Sequence, residues 1–443
     1  MIAGATIVAA ATGPAPGGVG ILRLSGPGAL ELARPFARGL PEDPEARRAY
    51  LVDFTDRSGA ALDSGLFLFF QAPASFTGED VVELQLHGSP RLLAMLQQEI
   101  LRDGRARMAE PGEFSRRAYL NGRMDLARAE AIADLVAAES EAAVRAAAAQ
   151  LGGALSARVK ELRDPLLALH ADLEGALNFP DEAEGADEGV EARLAPLVSG
   201  ALALMEDVGR GRLVRRGARV VLFGPVNAGK STLFNRLLGE ERALVDAEPG
   251  TTRDVLEARL ELGGLGVMLV DTAGLRPEPG RLEALGIARA REALRGADLG
   301  VLILPPDATE LEARRWRDEA RGTPTLTVLG KSDLRRGERG PVHGLPVSGT
   351  TGEGVEALRQ AILERLWGVG APGAVALVSE RHADALRRAA EFLERAMEAA
   401  RVSTLEIVSG EIAFALDALG EITGESASAD LLDAIFQRFC IGK

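Results

Sequence analysis

The stretch "RVVLFGPVNAGKSTLFNRLLG", residues 219–239, decides the fold. Val220 to Phe223 form an apolar, β-prone run, a Gly-Pro turn follows, and Leu233, Phe234, Leu237 and Leu238 then recur at helical spacing. Between strand and helix, "GPVNAGKS" at 224–231 fits the G-x-x-x-x-G-K-S pattern, and this context gives the pattern its meaning. Gly224 and Gly229 let backbone amides turn toward a polyphosphate, and the helix N-terminus adds partial positive charge. Lys230 reaches the terminal phosphates and Ser231 offers a hydroxyl to Mg²⁺. Asn227, Ala228 and Thr232 complete the loop's contribution.

Working outward, "GVMLVDTAG" ends a second strand on Asp271, Thr272, Ala273 and Gly274. Asp271 can hold the metal's water shell, and Gly274 can present an amide to the γ-phosphate. "GTTRD" at 250–254 supplies Thr251 and Thr252, with Thr252 as the second Mg²⁺ ligand. "TLTVLGKSD" ends a third strand on Lys331 and Asp333. The Asp333 carboxylate can accept from guanine's ring N–H and exocyclic amine, donors that adenine lacks there. A buried Asp333 left unpaired would discriminate by about 10⁴ or more. The nucleotide is GTP.

Each of these residues alone reads as a cap or turn. It is their order and their strand-end placement that argue function. Arg253 and Asp254 lack that support and read as turn or ion-pair residues. The position after the "DTAG" turn, where a glutamine often positions water, is Leu275, so another polar group must do so. Chemistry alone leaves Glu278 and Glu283 open. No arginine finger is evident in cis, and a monovalent cation held by the Asn227 side chain could supply the missing charge.

The strands "ARVVLFG", "GVMLVD", "LGVLILP", "TLTVLG" and "LPVSG" alternate with helices, which implies a mainly parallel sheet covered on both faces. Before this α/β segment, residues 1–118 mix short strands with helices such as "PRLLAMLQQEILRDG". Residues 119–215 and 379–443 read as helical, and leucines and valines from Leu151 to Leu177 step by three and four in one apolar stripe. A bundle helix accounts for that stripe better than a coiled coil. The expected architecture is therefore α/β plus all-α: an N-terminal domain (1–118), a helical domain in two halves (119–215 and 379–443), and a P-loop domain (216–378) inserted between them.

With 443 residues and 47% hydrophobic content, the chain is too long for one ordinary core. No apolar run approaches the ~18 residues that span a bilayer, and the N-terminus lacks a signal-peptide pattern, so the chain reads as cytoplasmic. One cysteine and four scattered histidines exclude a disulfide framework and a Cys-based zinc site. The net charge of −14 opposes tight nonspecific binding to nucleic acid, with the acid excess in the two helical halves. An RNA partner would need a local basic patch such as "RGRLVRRGAR" at 210–219, or help from another protein.

"GPVNAGKS", "GTTRD", "DTAGL", the split helical halves and the terminal "FCIGK" together resemble the MnmE (TrmE) family of tRNA wobble-uridine modification GTPases. So do "GGVGILRLSG", "SFTGEDVVELQLHG" and "PGEFSRRAYLNGRMDLARAEAIADL", so the resemblance covers essentially the whole chain. It implies an N-terminal folate-binding domain that dimerises, a helical domain and an inserted Ras-like G domain. The implied reaction is carboxymethylaminomethylation at C5 of the wobble uridine, using a tetrahydrofolate derivative (5-formyl or methylene). The implied partners are tRNA, a second copy of the chain and the FAD-carrying flavoprotein MnmG in a heterotetramer, with no membrane.

The resemblance also assigns residues. Arg23, Glu83, Arg123 and Lys443 match the folate site. Asn227, Asp246, Glu248 and Thr251 fall at the potassium site, and Glu283 matches the water-positioning carboxylate. Five departures stand out, one of them Pro16 before "GGVG", a position commonly Arg in the family. Gly330 replaces the Asn of an NKxD motif, which predicts looser guanine binding. Asp246 replaces Thr or Ser, "SGT" at 348–350 replaces the usual SAK-like loop, and Arg123 replaces Lys.

Cys440 admits three readings. A prenylation site does not suit Gly442, Lys443 or the absence of a polybasic run. A buried filler could continue the stripe of Leu432, Ile435, Phe436 and Phe439. The resemblance favours the third, a reactive thiol delivered by a flexible tail with Lys443 to the folate. The rival function is a regulatory RNA-binding GTPase of the ribosome-assembly type, but such proteins append a basic RNA module and the flanking helices here are acidic.

Overall fold

The computed structural model describes residues 4–179, 189–240, 256–272, 290–334, 341–367 and 379–443. Two compact units emerge: Met1–Ala133, Leu151–Leu197 and Arg388–Lys443 form the first, and Asp134–Gln150 with Val198–Arg387 form the second.

The first unit opens with a seven-stranded sheet in the order β3-β4-β5-β6-β2-β1-β7. Its strands are β1 (Thr6–Ala10), β2 (Gly17–Ser25), β3 (Ala37–Arg38), β4 (Ala49–Thr55), β5 (Ala61–Phe70), β6 (Val81–Gly88) and β7 (Ala106–Met108). Every pairing is antiparallel except β1 with β7. Alternation along β6 sends Val82, Leu84 and Leu86 into a core with Leu22, Leu24, Phe54 and Phe67. Helices α1 (Ala29–Ala33) and α2 (Pro90–Leu101) cover that face. α2 begins where sequence chemistry dictates: Ser89 accepts from Leu92 N–H, Pro90 stands at the first helical position, and Leu93, Leu96 and Ile100 are buried.

Helices follow: α3 (Glu113–Leu120), α4 (Leu126–Ala137), α5 (Glu141–Leu151), α6 (Ala154–Asn178) and α7 (Val190–Arg216). The expected stripe is real along α6, where Leu155, Val159, Leu162, Leu166, Leu169 and Leu173 are buried. It does not begin at Leu151. Gly153, at φ +94°, ends one helix and starts the next, so Leu151 belongs to α5.

The second unit holds a six-stranded sheet in the order β13-β12-β11-β8-β10-β9. Its elements are β8 (Ala218–Phe223), α8 (Lys230–Glu240), β9 (Leu256–Leu262), β10 (Leu265–Asp271), β11 (Leu299–Leu304), α9 (Glu310–Glu319), β12 (Thr325–Leu329), β13 (Leu345–Pro346) and α10 (Val355–Trp367). All pairings are parallel except β9 with β10. Apolar clusters lie on both faces of the sheet, as nearly continuous hydrophobic strands require. Within this sheet β9 is the strand that the sequence pattern did not single out, although "LEARLEL" alternates as an edge strand should.

The chain ends in α11 (Glu380–Val402), α12 (Leu405–Thr423) and α13 (Ala429–Phe436). Within the first unit the two helical halves pack together, as expected. Ser409 on α12 bonds His170 and Glu174 on α6 at 3.0 and 2.6 Å, and Arg163 on α6 pairs with Glu425 at 2.6 Å. Among the described residues no helix is long and apolar enough to cross a membrane.

Candidate functional site

β8 delivers the chain to Gly224, whose φ of +137° suits glycine; a Cβ there would stand 2.1 Å from the Ile303 carbonyl oxygen. The loop then turns through Asn227 (φ +61°) and Gly229 (φ +102°) into the N-terminus of α8. Successive left-handed turns of this kind form a concave nest of amides suited to an anion. Lys230 is buried, and its ammonium donates to the Gly224 and Pro225 carbonyls at 3.0 and 2.7 Å. Burial pushes its pKa down, and Asp271 opposes that shift. The Ser231 hydroxyl donates to the buried Asp271 carboxylate at 2.7 Å, so two hard oxygens of the kind Mg²⁺ prefers lie side by side. Thr272 turns back onto β8, with its hydroxyl 3.0 Å from the Leu222 carbonyl.

Next to this loop is a cleft lined by Gly229, Thr232, Ile303, Gly330, Lys331, Asp333, Gly349 and Thr350, among others. Strand ends of β11 and β12 therefore bring the phosphate loop and the base motifs together. Lys331 adopts φ +56°, and its stem passes over Gly229. Asp333 sits exposed in a short turn. The protein therefore does not bury this carboxylate, contrary to the expectation of a buried Asp333. Ser348 does not enter the cleft: it is fully buried, with its hydroxyl accepting from Thr351 N–H at 3.1 Å. Thr350, the last residue of the "SGT" stretch, lines the cleft instead, together with Ile303, which the sequence did not single out.

In the first unit, Arg23 and Glu83 stand directly opposite each other on β2 and β6 and pair at 2.8 Å. The Arg23 guanidinium also lies 5.7 Å from the centres of both the Phe76 and Phe114 rings. Phe114 belongs to α3, and α3 receives the C-terminal tail: Gly112 N–H donates to the Cys440 carbonyl at 3.3 Å. Phe436 and Phe439 are buried, but the Cys440 thiol is exposed, so the apolar stripe stops one residue short of it. The tail is seated rather than loose. Gly442 is buried at φ +96°, where a Cβ would lie 2.1 Å from the Ala10 carbonyl oxygen. Lys443 is half-buried, and Arg123 is exposed with its stem beside Gly78.

Two family models match the chain: "GTP-binding protein TrmE N-terminus" over residues 6–123 and "MnmE helical domain" over residues 126–440. A "tRNA modification GTPase MnmE" of Myxococcus xanthus (strain DK1622) is 66% identical over 438 residues, covering 99% of each chain. The chain belongs to the MnmE family. Another MnmE, from Alkalilimnicola ehrlichii, is 44% identical over 453 residues and again covers 99% of each chain. A solved G domain of the T. maritima FeoB iron transporter is 25% identical, covering 33% of this chain and 98% of that one at a TM-score of 0.27.

Several residues that the sequence analysis singled out fall outside the described residues: Asp246, Glu248, Thr251, Thr252, Arg253, Asp254, Ala273, Gly274, Leu275, Glu278 and Glu283. Gly330 follows the family departure to its physical cause. A Cβ there would stand 2.4 Å from the Ala228 carbonyl oxygen, so the phosphate loop occupies the space a side chain would use.

Proposed function

We propose that the GTPase cycle of this chain serves carboxymethylaminomethylation at C5 of the wobble uridine, with the flavoprotein MnmG and a tetrahydrofolate one-carbon unit. Family membership makes the chain a GTP hydrolase that takes part in tRNA modification. In the proposed division of labour, Asn227 to Thr232, Thr251, Thr252 and Asp271 to Gly274 hold the phosphates, and Lys331, Asp333 and Gly349 hold the base. Ser231 and Thr252 take Mg²⁺, which when bound neutralises charge on the β and γ phosphates. Asn227, Asp246, Glu248 and Thr251 take K⁺, and Glu283 positions the attacking water.

Arg23, Glu83, Arg123 and Lys443 would hold the folate, and Cys440 would act beside it. A second copy of the chain and tRNA are the other proposed partners. The observation that supports this reading is the seated tail: its carbonyl and glycine are anchored on α3 and β1 while the thiol is left exposed. An exposed thiol is open to reagents, whereas a buried one would serve packing.

The test is mass spectrometry of tRNA nucleosides from cells lacking this protein. The wobble-uridine derivative should be missing, should return with the wild-type chain, and should stay missing with Cys440→Ser even though that variant still turns over GTP. Restoration by Cys440→Ser would remove the thiol from the chemistry, and an unchanged nucleoside profile in the deletion would remove the function.

A further inference from the structure

We infer that Arg236 is a positioning residue for guanine selectivity, acting through the backbone of residues 348–350. The inference rests on the GTP reading above and deepens it. Arg236 lies on α8, the helix that begins with Lys230 and Ser231. Its Nε donates to the Gly349 carbonyl at 3.0 Å and its guanidinium NH2 to the Thr350 carbonyl at 2.5 Å. Gly349 is pressed on the same helix, for a Cβ there would meet the Leu233 nitrogen at 2.9 Å.

The peptide plane supplies the rest. In a trans peptide, the C=O of one residue and the N–H of the next point in opposite directions. Holding the Gly349 carbonyl toward α8 therefore aims the Thr350 N–H away from α8, toward the cleft that Gly349, Thr350 and Asp333 line. No partner for that N–H is found among the described residues. A donor there matches the C6 oxygen of guanine and repels the C6 amine of adenine. Asp333 reads the neighbouring ring N–H and exocyclic amine, so one edge of the base is read by two independent groups. Gly349 and Gly330 have no side chain to fix the geometry, and Arg236, outside the cleft, holds two successive carbonyls of the loop. Arg suits this task better than Lys because its planar fork can hold two carbonyls at once.

The experiment is competition binding against a fluorescent GDP analogue with the full chain, using GTP, 6-thio-GTP and ITP. 6-thio-GTP differs from GTP only in having sulfur, a poor acceptor, at C6, whereas ITP lacks only the exocyclic amine that faces Asp333. The wild type should prefer GTP over 6-thio-GTP by about fivefold, the worth of one ordinary hydrogen bond. Arg236→Ala should bring that preference within about twofold while the preference over ITP persists, and Arg236→Lys, which keeps one donor, should fall between. Gly349→Ala, which lifts the loop off α8, should repeat the Arg236→Ala pattern. An unchanged 6-thio-GTP preference in Arg236→Ala, an equal loss of both preferences, or a wild type indifferent to the C6 atom would each overturn the inference. A wild type that binds no GTP at all would instead overturn the reading of the nucleotide.

Discussion

The nucleotide cleft and the heart of the N-terminal unit are built from opposite materials. Around the cleft the contacts that matter are main chain on main chain: Gly224 against Ile303, Gly330 against Ala228, and Gly349 against the first turns of α8. In the N-terminal unit they are charged side chains withdrawn from water. Glu113 is 1% exposed and receives Arg107 at 2.5 Å and Arg117 at 2.9 Å, and Arg117 reaches on to Glu79 at 2.8 Å. Glu79 in turn accepts from Ser25 at 2.8 Å, whose hydroxyl is 2.7 Å from that of Thr77. A phosphate or a base can be held by amides, which every residue carries, provided no Cβ intervenes. A sheet and a helix locked by ions instead need particular side chains in particular rotamers. The first kind of site fails when a side chain is added, the second when one is removed.

The largest effect is expected where a buried charge loses its partner. Glu113→Ala leaves Arg107 and Arg117 facing a void, and the N-terminal unit should lose about 3–5 kcal/mol in denaturant unfolding. A pH arm sharpens the test. Burial alone would raise the Glu113 pKa, but hydrogen bonds from Arg107, from the Glu110 backbone and from Arg117, together with Arg117's charge, hold it below the ordinary 4.5. A carboxylate depressed in the folded state contributes stability that is fully present above its unfolded pKa and is lost as pH falls through the folded value. Wild-type stability should therefore decline below about pH 4.5, and Glu113→Gln should flatten that decline. If Glu113→Ala costs less than 1 kcal/mol, the contrast between the two regions is wrong.

Next in size is Gly330. The motif leads one to expect that restoring asparagine would brace the base. The structure leads to the reverse, since the Ala228 carbonyl and the Ile303 side chain occupy that volume at 2.4 and 3.0 Å from any Cβ. Gly330→Asn should cost about 1–3 kcal/mol in the nucleotide unit and weaken GTP binding by about tenfold, measured by equilibrium titration. Tighter binding by this variant would mean that a side chain can read the base here, and that the cleft is not backbone-built.

The same contrast explains what could be read in the sequence. Glycine and lysine in "GPVNAGKS" stand in for a backbone geometry, so the loop, its strand and its helix were legible together. The guanine cleft was legible as far as its motifs ran, through Lys331 and Asp333. Ile303 was not, because it is an ordinary core residue of β11, and only the sheet order places it beside Gly330. Arg107, Glu113 and Arg117 were invisible for a different reason. Charged residues at helical spacing look like a solvated face, and nothing local announces that α3 buries Glu113 against β7. The anchorage of the tail was not legible, because it depends on Gly112 and Ala10, hundreds of residues away.

The smallest effect belongs to α9, and it sets the scale for the others. Thr309 caps this helix in both directions: its hydroxyl accepts from Glu312 N–H at 3.3 Å, while its own N–H donates to the Glu312 carboxylate at 2.8 Å. The helix packs Trp316 against Phe223, ring centres 6.4 Å apart, and Phe223 is the last strand residue before Gly224. Thr309→Ala should destabilise the nucleotide unit by about 1 kcal/mol. Because the cap frays one end of a helix without adding a Cβ to the cleft, GTP affinity should stay within about twofold. Loss of affinity in proportion to stability would show that the phosphate loop takes its shape from the packing beneath Phe223, and that the glycines only permit what the core imposes.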